Sequence, residues 1–124
     1  SEFICEQHDI VRCFDFLNHV ANMRPLAEVV MNSRQNVWQP AVSLSWAAGF
    51  DVNHYMGVVE EIVHQAADVS GVSFSKAQSL FILGLKDMAG VCPPRFISAL
   101  VAQIRKKSPA LVIHYHRHCR CPYC

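Results

Sequence analysis

The chain has 124 residues, of which 52% are hydrophobic and 17% charged, with a formal net charge of +1. That length suits one small domain or part of a larger one, and so apolar a composition predicts an interior piece of a larger enzyme with strands buried on both faces. The balanced charge excludes the basic footprint of a nucleic-acid binder, and no apolar run reaches the roughly 18–20 residues that a membrane helix needs, so neither nucleic acid nor membrane is an expected partner.

In chain order, Ser1–Ile10 carries Glu2, Glu6 and Asp9, which interrupt any signal-peptide core. Asp9–Asp15 (DIVRCFD) reads as a short strand. Val20–Arg34 reads as a helix, with Met23, Leu26, Ala27 and Val30 at helical spacing and Pro25 near its start, where proline is tolerated. Val37–Trp46 is strand-like, and Pro40 predicts that the strand proper begins after it. Asp51 or Asn53 can cap the next helix, whose apolar stripe is Tyr55, Val58, Val59, Ile62, Val63 and Ala66. The Ser-rich stretch that follows breaks the repeat, so residues 69–79 read as an insertion, either a surface loop or sequence foreign to the natural protein. Leu80–Leu85 (LFILGL) is a buried-type strand. Pro93 and Pro94 open a helix that carries Ile97, Leu100, Val101 and Ile104 on one face and closes on Arg105, Lys106 and Lys107, cations suited to the helix dipole. Ala110–His118 (ALVIHYHRH) is a strand ending in alternating histidines.

The order β-α-β-α-β-α-β predicts an α/β fold with a parallel sheet and right-handed crossovers. A closed (β/α)8 TIM barrel takes about 250 residues, so the chain is read as a partial barrel of about four strands and three helices. Such a half barrel exposes strand edges and is expected to associate. The rival is an open doubly wound sheet, whose nucleotide-binding form is disfavoured because no Gly-rich loop follows any strand.

Of six cysteines, Cys5, Cys13 and Cys92 lie in apolar or periodic segments, as buried free thiols do, and only Cys119, Cys121 and Cys124 cluster. The chain therefore reads as intracellular and mostly reduced. His114, His116 and His118 alternate along one strand and so share a face, at the C-terminal end where barrels place their sites. Two imidazoles at i and i+2 can chelate one metal ion; the plainer alternative is a row of surface histidines. Lys86 ends the preceding strand. Composition alone favours a solvated lysine there. In a low-dielectric barrel mouth its amine would lose its proton and react with carbon dioxide, giving an anionic carbamate ligand for the same metal.

Lys86-Asp87-Met88-Ala89-Gly90, preceded by Leu83-Gly84-Leu85, resembles the signature of biotin-dependent carboxyltransferase domains, the family of pyruvate carboxylase, oxaloacetate decarboxylase and transcarboxylase. His116 and His118 stand at the distance of that family's His-x-His motif, with His114 in the extra upstream position of its pyruvate carboxylase branch. Arg12-Cys13-Phe14-Asp15-Phe16-Leu17-Asn18, Asn22-Met23, and Tyr55-Met56-Gly57 with Glu60-Glu61 are similar to further family segments. The resemblance covers nearly the whole chain and is nearest to the pyruvate carboxylase branch. It implies carboxyl transfer from carboxybiotin to pyruvate, giving oxaloacetate, and a homo-oligomeric parent. The implied metal ligands are carbamylated Lys86, His116 and His118 around zinc, manganese or cobalt, with biotin carried on a separate domain. Asp87, His114, Arg12 and Asp15 are the implied supporting residues, Arg12 and Asp15 equally readable as a structural ion pair. The implied compartment is the mitochondrial matrix in a eukaryote and the cytoplasm otherwise.

The chain departs from the pattern at Cys119, where the family has Asp. The family's first-strand aspartate ligand, its pyruvate-binding arginine and glutamine and its proton-shuttling threonine have no counterpart here, so this piece is expected to be inactive alone. Two other readings stand beside it: a segment of an oxaloacetate decarboxylase or transcarboxylase subunit, and a non-catalytic remnant or small zinc module built on His116, His118, Cys119, Cys121 and Cys124.

Overall fold

The computed structural model describes residues 9–33, 36–45, 49–87, 90 and 92–118. Cys5, Cys119, Cys121 and Cys124, and with them the Cys-rich zinc tail, lie outside the described residues. The elements run β1 (Ile10–Asp15), α1 (Val20–Ser33), β2 (Val37–Ser43), α2 (Val52–Ser70), α3 (Phe74–Ala77), β3 (Ile82–Asp87), α4 (Pro94–Lys107) and β4 (Val112–Arg117). All neighbouring strands pair in parallel, in the spatial order β1-β2-β3-β4.

That order separates the two sheet architectures open to the sequence. A doubly wound sheet reverses its strand order at a switch point, whereas a barrel adds each new strand beside the last. Here every strand follows its predecessor in space, and the fold is an α/β arrangement consistent with part of a β/α barrel.

The helices explain where the core lies. Because side chains alternate along a strand, each strand offers one set to each face. Val11, Trp38, Val42, Leu44, Phe81, Leu83, Leu85 and Leu111 come from one face, and all belong to the buried core. The helix residues of that core include Met23, Ala27 and Val30 of α1, Tyr55, Val59, Ile62 and Val63 of α2, and Leu100 and Ile104 of α4. Among the described residues no helix covers the other face: Ile10, Phe14, Val37 and Val112 are 37–55% exposed. Burial of strands on both faces, expected from composition, is met in β2, buried from Trp38 to Ser43, while β1 and β4 stay open on this face.

Local chemistry fixes the ends of the elements. Asp51 caps α2 by accepting a hydrogen bond from the His54 amide at 2.9 Å, and Gly71 ends it in the left-handed conformation, φ 68°. Helix α2 thus continues past the sequence reading, to Ser70. The stretch 69–79 is largely built into the fold. Ser73 caps the single turn α3, and Ala77 and Gln78 are buried.

Pro40 lies inside β2, not before it, and is paired with Cys13 of β1. On its other side the ladder to β3 is interrupted: Trp38 bridges Phe81, and continuous pairing resumes only at Ala41 opposite Gly84. A proline has no amide hydrogen to give a ladder, and the gap sits where that donor is missing. The strand survives because β1 pairs with it along its whole length up to Val42.

Candidate functional site

The ends of β3 and β4 bring the candidate ligands together. Ser43, Lys86 and His116 are successive cross-strand partners, and one step back Ala41, Gly84 and His114 form the next row. Both rows lie on the helix-free face. Gly84 is required there by close approach. A Cβ at that position would stand 3.0 Å from the Ala41 Cβ and 3.3 Å from its Cα. The missing side chain lets β2 and β3 lie flush beneath Lys86.

Alternation puts His118 on the same face as His116, and their ring centroids are 5.0 Å apart. Lys86 leans the other way. Its Nζ lies 4.0 Å from the centre of the Phe14 ring on β1, a cation–π contact. Beside it, the Ser43 Oγ is buried without a hydrogen-bond partner among the described residues.

Arg12 is the hub of this face. Its Nε donates to Gln39 Oε1 at 2.9 Å, its Nη1 lies 3.0 Å from His116 Nδ1, and its Nη2 lies 3.0 Å from His114 Nδ1. The Gln39 amide nitrogen lies 2.9 Å from the same His114 Nδ1. Gln39 itself is only 4% exposed, so it is a fixed platform for the guanidinium. The imidazole of His116 is held below its ordinary value by partial burial, then by the nearby His118, Arg12, Lys86 and His114, all of which disfavour a further positive charge.

Asp15 and Asp87 belong to the opposite face. The Asp15 carboxylate accepts from the His19 amide at 2.8 Å, at the start of α1, and does not meet Arg12. Asp87 is fully buried. Its carboxylate accepts from the Cys92 amide at 3.1 Å and lies 3.7 Å from Arg117 Nε, while Arg117 Nη2 donates to the Gly90 carbonyl at 3.4 Å. Asp87 and Arg117 thus join the ends of β3 and β4 from behind, Asp87 one residue from Lys86 and Arg117 one residue from His116 and His118.

The sequence reading missed Gln39, Phe14, Ser43 and Arg117 as neighbours of the site. A polar Gln39 two residues after apolar Val37 was the one local signal, and the misplaced start of β2 concealed it. Asn18 was also missed. In the left-handed conformation (φ 57°), it grips the end of β2, accepting from the Ser43 amide and donating to the Ser43 carbonyl, both at 2.8 Å.

The donor set suits a divalent metal in kind: two imidazoles on one face and an amine that can become an oxygen donor, beside a buried hydroxyl with no partner. Among the described residues no group of three or more His, Cys, Asp or Glu side chains is assembled for a metal, so Lys86 would have to supply the third ligand. None of the described helices is long and apolar enough to cross a membrane.

No protein-family profile matches the chain. It is 30% identical over 125 residues to the pyruvate carboxylase of Schizosaccharomyces pombe, covering 94% of this chain and 10% of that protein. It is 30% identical over 116 residues to the mitochondrial pyruvate carboxylase of Homo sapiens, covering 89% of this chain and 9% of that protein. It is 31% identical over 115 residues to a pyruvate carboxylase of Aspergillus terreus, covering 89% and 8%. The chain spans about a tenth of the length of the relatives it matches, and it is related to a segment of pyruvate carboxylases.

Proposed function

We propose that this relative of a pyruvate carboxylase segment is part of a carboxyltransferase barrel, where a carboxyl group passes from carboxybiotin to pyruvate to give oxaloacetate. The observation that carries the reading is the register of the strand ends. Lys86 lies directly opposite His116, with His118 on the same face and its ring 5.0 Å from that of His116. In this reading Lys86, His116 and His118 hold a divalent metal (zinc, manganese or cobalt), which when bound supplies Lewis-acid polarisation of a substrate oxygen.

The chain's own residues have separate tasks. Lys86 must first give up its ammonium proton. The neutral amine then forms a bond to the carbon of carbon dioxide and releases a second proton, leaving an anionic carbamate. The amine end of Lys86 lies against the Phe14 ring, so the carbamate has to leave that contact and turn toward β4. His116 offers an imidazole whose depressed basicity suits a ligand, and His118 stands beside it on the same face. Asp87 and Arg117, behind the sheet, keep the ends of β3 and β4 in step. The biotin carrier domain, the 2-oxo acid clamp and a homo-oligomeric assembly belong in this reading to the rest of the parent, whose compartment is the mitochondrial matrix in a eukaryote and the cytoplasm otherwise.

The test is capture of biotin-bearing polypeptides from the source organism on streptavidin, followed by mass spectrometry. The expected result is peptides spanning Lys86 in a large biotinylated polypeptide. Peptides found only in an unbiotinylated protein of about 14 kDa would overturn the reading.

A further inference from the structure

We infer that Arg12 is a positioning residue that closes the His114–His116 pair to metal: the guanidinium occupies the imidazole lone pair that a metal ion needs, so Arg12 and a metal exclude one another at His116. This rests on the proposed metal-binding role of His116 and His118, and it concerns how that site is kept and opened.

A guanidinium has five N–H donors and no acceptor. Wherever its N–H groups meet an imidazole nitrogen, that nitrogen must be the acceptor. Arg12 meets Nδ1 of both His116 and His114 at 3.0 Å, and the donor nitrogen of Gln39 approaches the same His114 atom at 2.9 Å. A neutral imidazole has one lone-pair nitrogen, so both rings here carry their proton on Nε2. The tautomers follow from Arg12 rather than from choice of ring orientation alone, because Gln39 orients the fork: its oxygen accepts from Arg12 Nε and its amide turns to His114.

A metal ion has two routes to His116, and each breaks the Arg12 bond. It can take Nδ1, where the guanidinium already sits. It can take Nε2 after the proton has moved to Nδ1, which then points one N–H at another. Charge adds to this. The described residues on this face include the cations Arg12 and Lys86 and no carboxylate, since Asp15 and Asp87 point to the opposite face. None of the described residues on this face offsets the repulsion between a guanidinium and a divalent ion sharing one ring. A carbamate on Lys86 is the anion that would relieve it, so the lysine's modification and Arg12's withdrawal are coupled.

The test uses the full natural polypeptide that contains this chain, stripped of metal and titrated with Co2+ alone. Affinity is read by chelator competition and coordination by the visible absorption of the bound ion. Arg12→Gln removes the charge and the fork, and is expected to bind Co2+ about tenfold or more tighter than wild type, the scale of one charged hydrogen bond. Arg12→Lys keeps the cation and most of the bulk but cannot bridge two rings. It is expected to fall between the two, and it serves if the glutamine variant fails to fold. Equal or weaker Co2+ binding in both variants, with His116→Ala abolishing it, would overturn the exclusion while leaving the metal site standing. Co2+ binding that His116→Ala and His118→Ala leave unchanged would overturn both the exclusion and the proposed metal ligands.

Discussion

On the helix-covered face of the sheet, Trp38, Val42, Leu83, Leu85 and Leu111 are essentially inaccessible to solvent and meet apolar side chains from α1, α2 and α4. On the other face of the same four strands, Ile10, Phe14, Val37 and Val112 are open to solvent, and the polar groups Arg12, Gln39, Lys86, His114 and His116 make contacts that cross from strand to strand. The first face holds the fold through area removed from water, which is non-directional and tolerant of detail. The second has little such area, and its contacts depend on register: a slip of one residue would send Lys86 and His116 to the covered side. Stability and site chemistry are therefore assigned to opposite faces, and substitutions that respect that division should have separable effects.

The largest expected effect comes from breaking the covered face. Leu85→Ala should cost about 2–5 kcal/mol, the transfer term plus a cavity that the surrounding core side chains fill only in part. Phe14→Ala removes a larger side chain from the open face, yet should cost less than about 1 kcal/mol in this chain, because the ring is 43% exposed. Urea unfolding of the two variants side by side checks the pair. Equal losses would mean that the two faces are equally buried in solution.

How much of this was legible in the sequence follows the same division. The covered face writes itself into local pattern. The stripe from Tyr55 to Ala66, the cap at Asp51 or Asn53 and the apolar run before Lys86 each predict their element, and the structure has them, with Asp51 as the cap. Period-2 histidines likewise predicted a shared face for His114 and His116. What stayed hidden depends on residues far apart in the chain. Gln39 and His114 are 75 positions apart, Arg12 and His116 are 104 apart, and no local periodicity links them. Pro40 misled for a related reason. A proline is excluded from a strand only where a neighbour needs its amide, and that is a property of the β2–β3 ladder, not of β2. The turn Phe74–Ala77 was hidden by composition, since its Ser73 cap lies in a Ser-rich run that reads as loop.

A medium effect should come from pH, and it also belongs to the covered side. The thiol of Cys92 is pushed up to about 11 from its ordinary 9.0, first by burial and then by the Asp87 carboxylate. The folded state therefore prefers the protonated thiol. Its contribution is fully present below pH 9 and is lost as pH rises toward 11, roughly 2–3 kcal/mol if the whole rise is expressed. Urea midpoints of the wild type should fall across that window. Cys92→Ala should be less stable at pH 8 but lose less between pH 9 and 11. Tyr55 and Tyr115 are also raised, mainly by burial, so part of the alkaline slope will remain. A slope unchanged by the substitution would place the alkaline sensitivity elsewhere.

The smallest stability effect should come from Lys86, the residue on which the proposed chemistry depends most. Lys86→Met keeps the unbranched stem along the sheet and removes only the ammonium, so the loss is the cation–π contact with Phe14, about 0.5–1 kcal/mol at an accessible site. Part of that returns, because a thioether also packs well against an aromatic ring and one positive charge leaves a face that already carries Arg12. The net change in the urea midpoint should therefore be near zero. Divalent-metal binding by the parent polypeptide should nevertheless fall toward that of a two-histidine site, because no described carboxylate on this face can replace the missing anionic donor. A stability loss above about 2 kcal/mol would show that Lys86 is a buried structural cation rather than a ligand in waiting, since only an uncompensated change in a desolvated setting costs that much. In that case the division between a face that folds and a face that reacts would fail at its central residue.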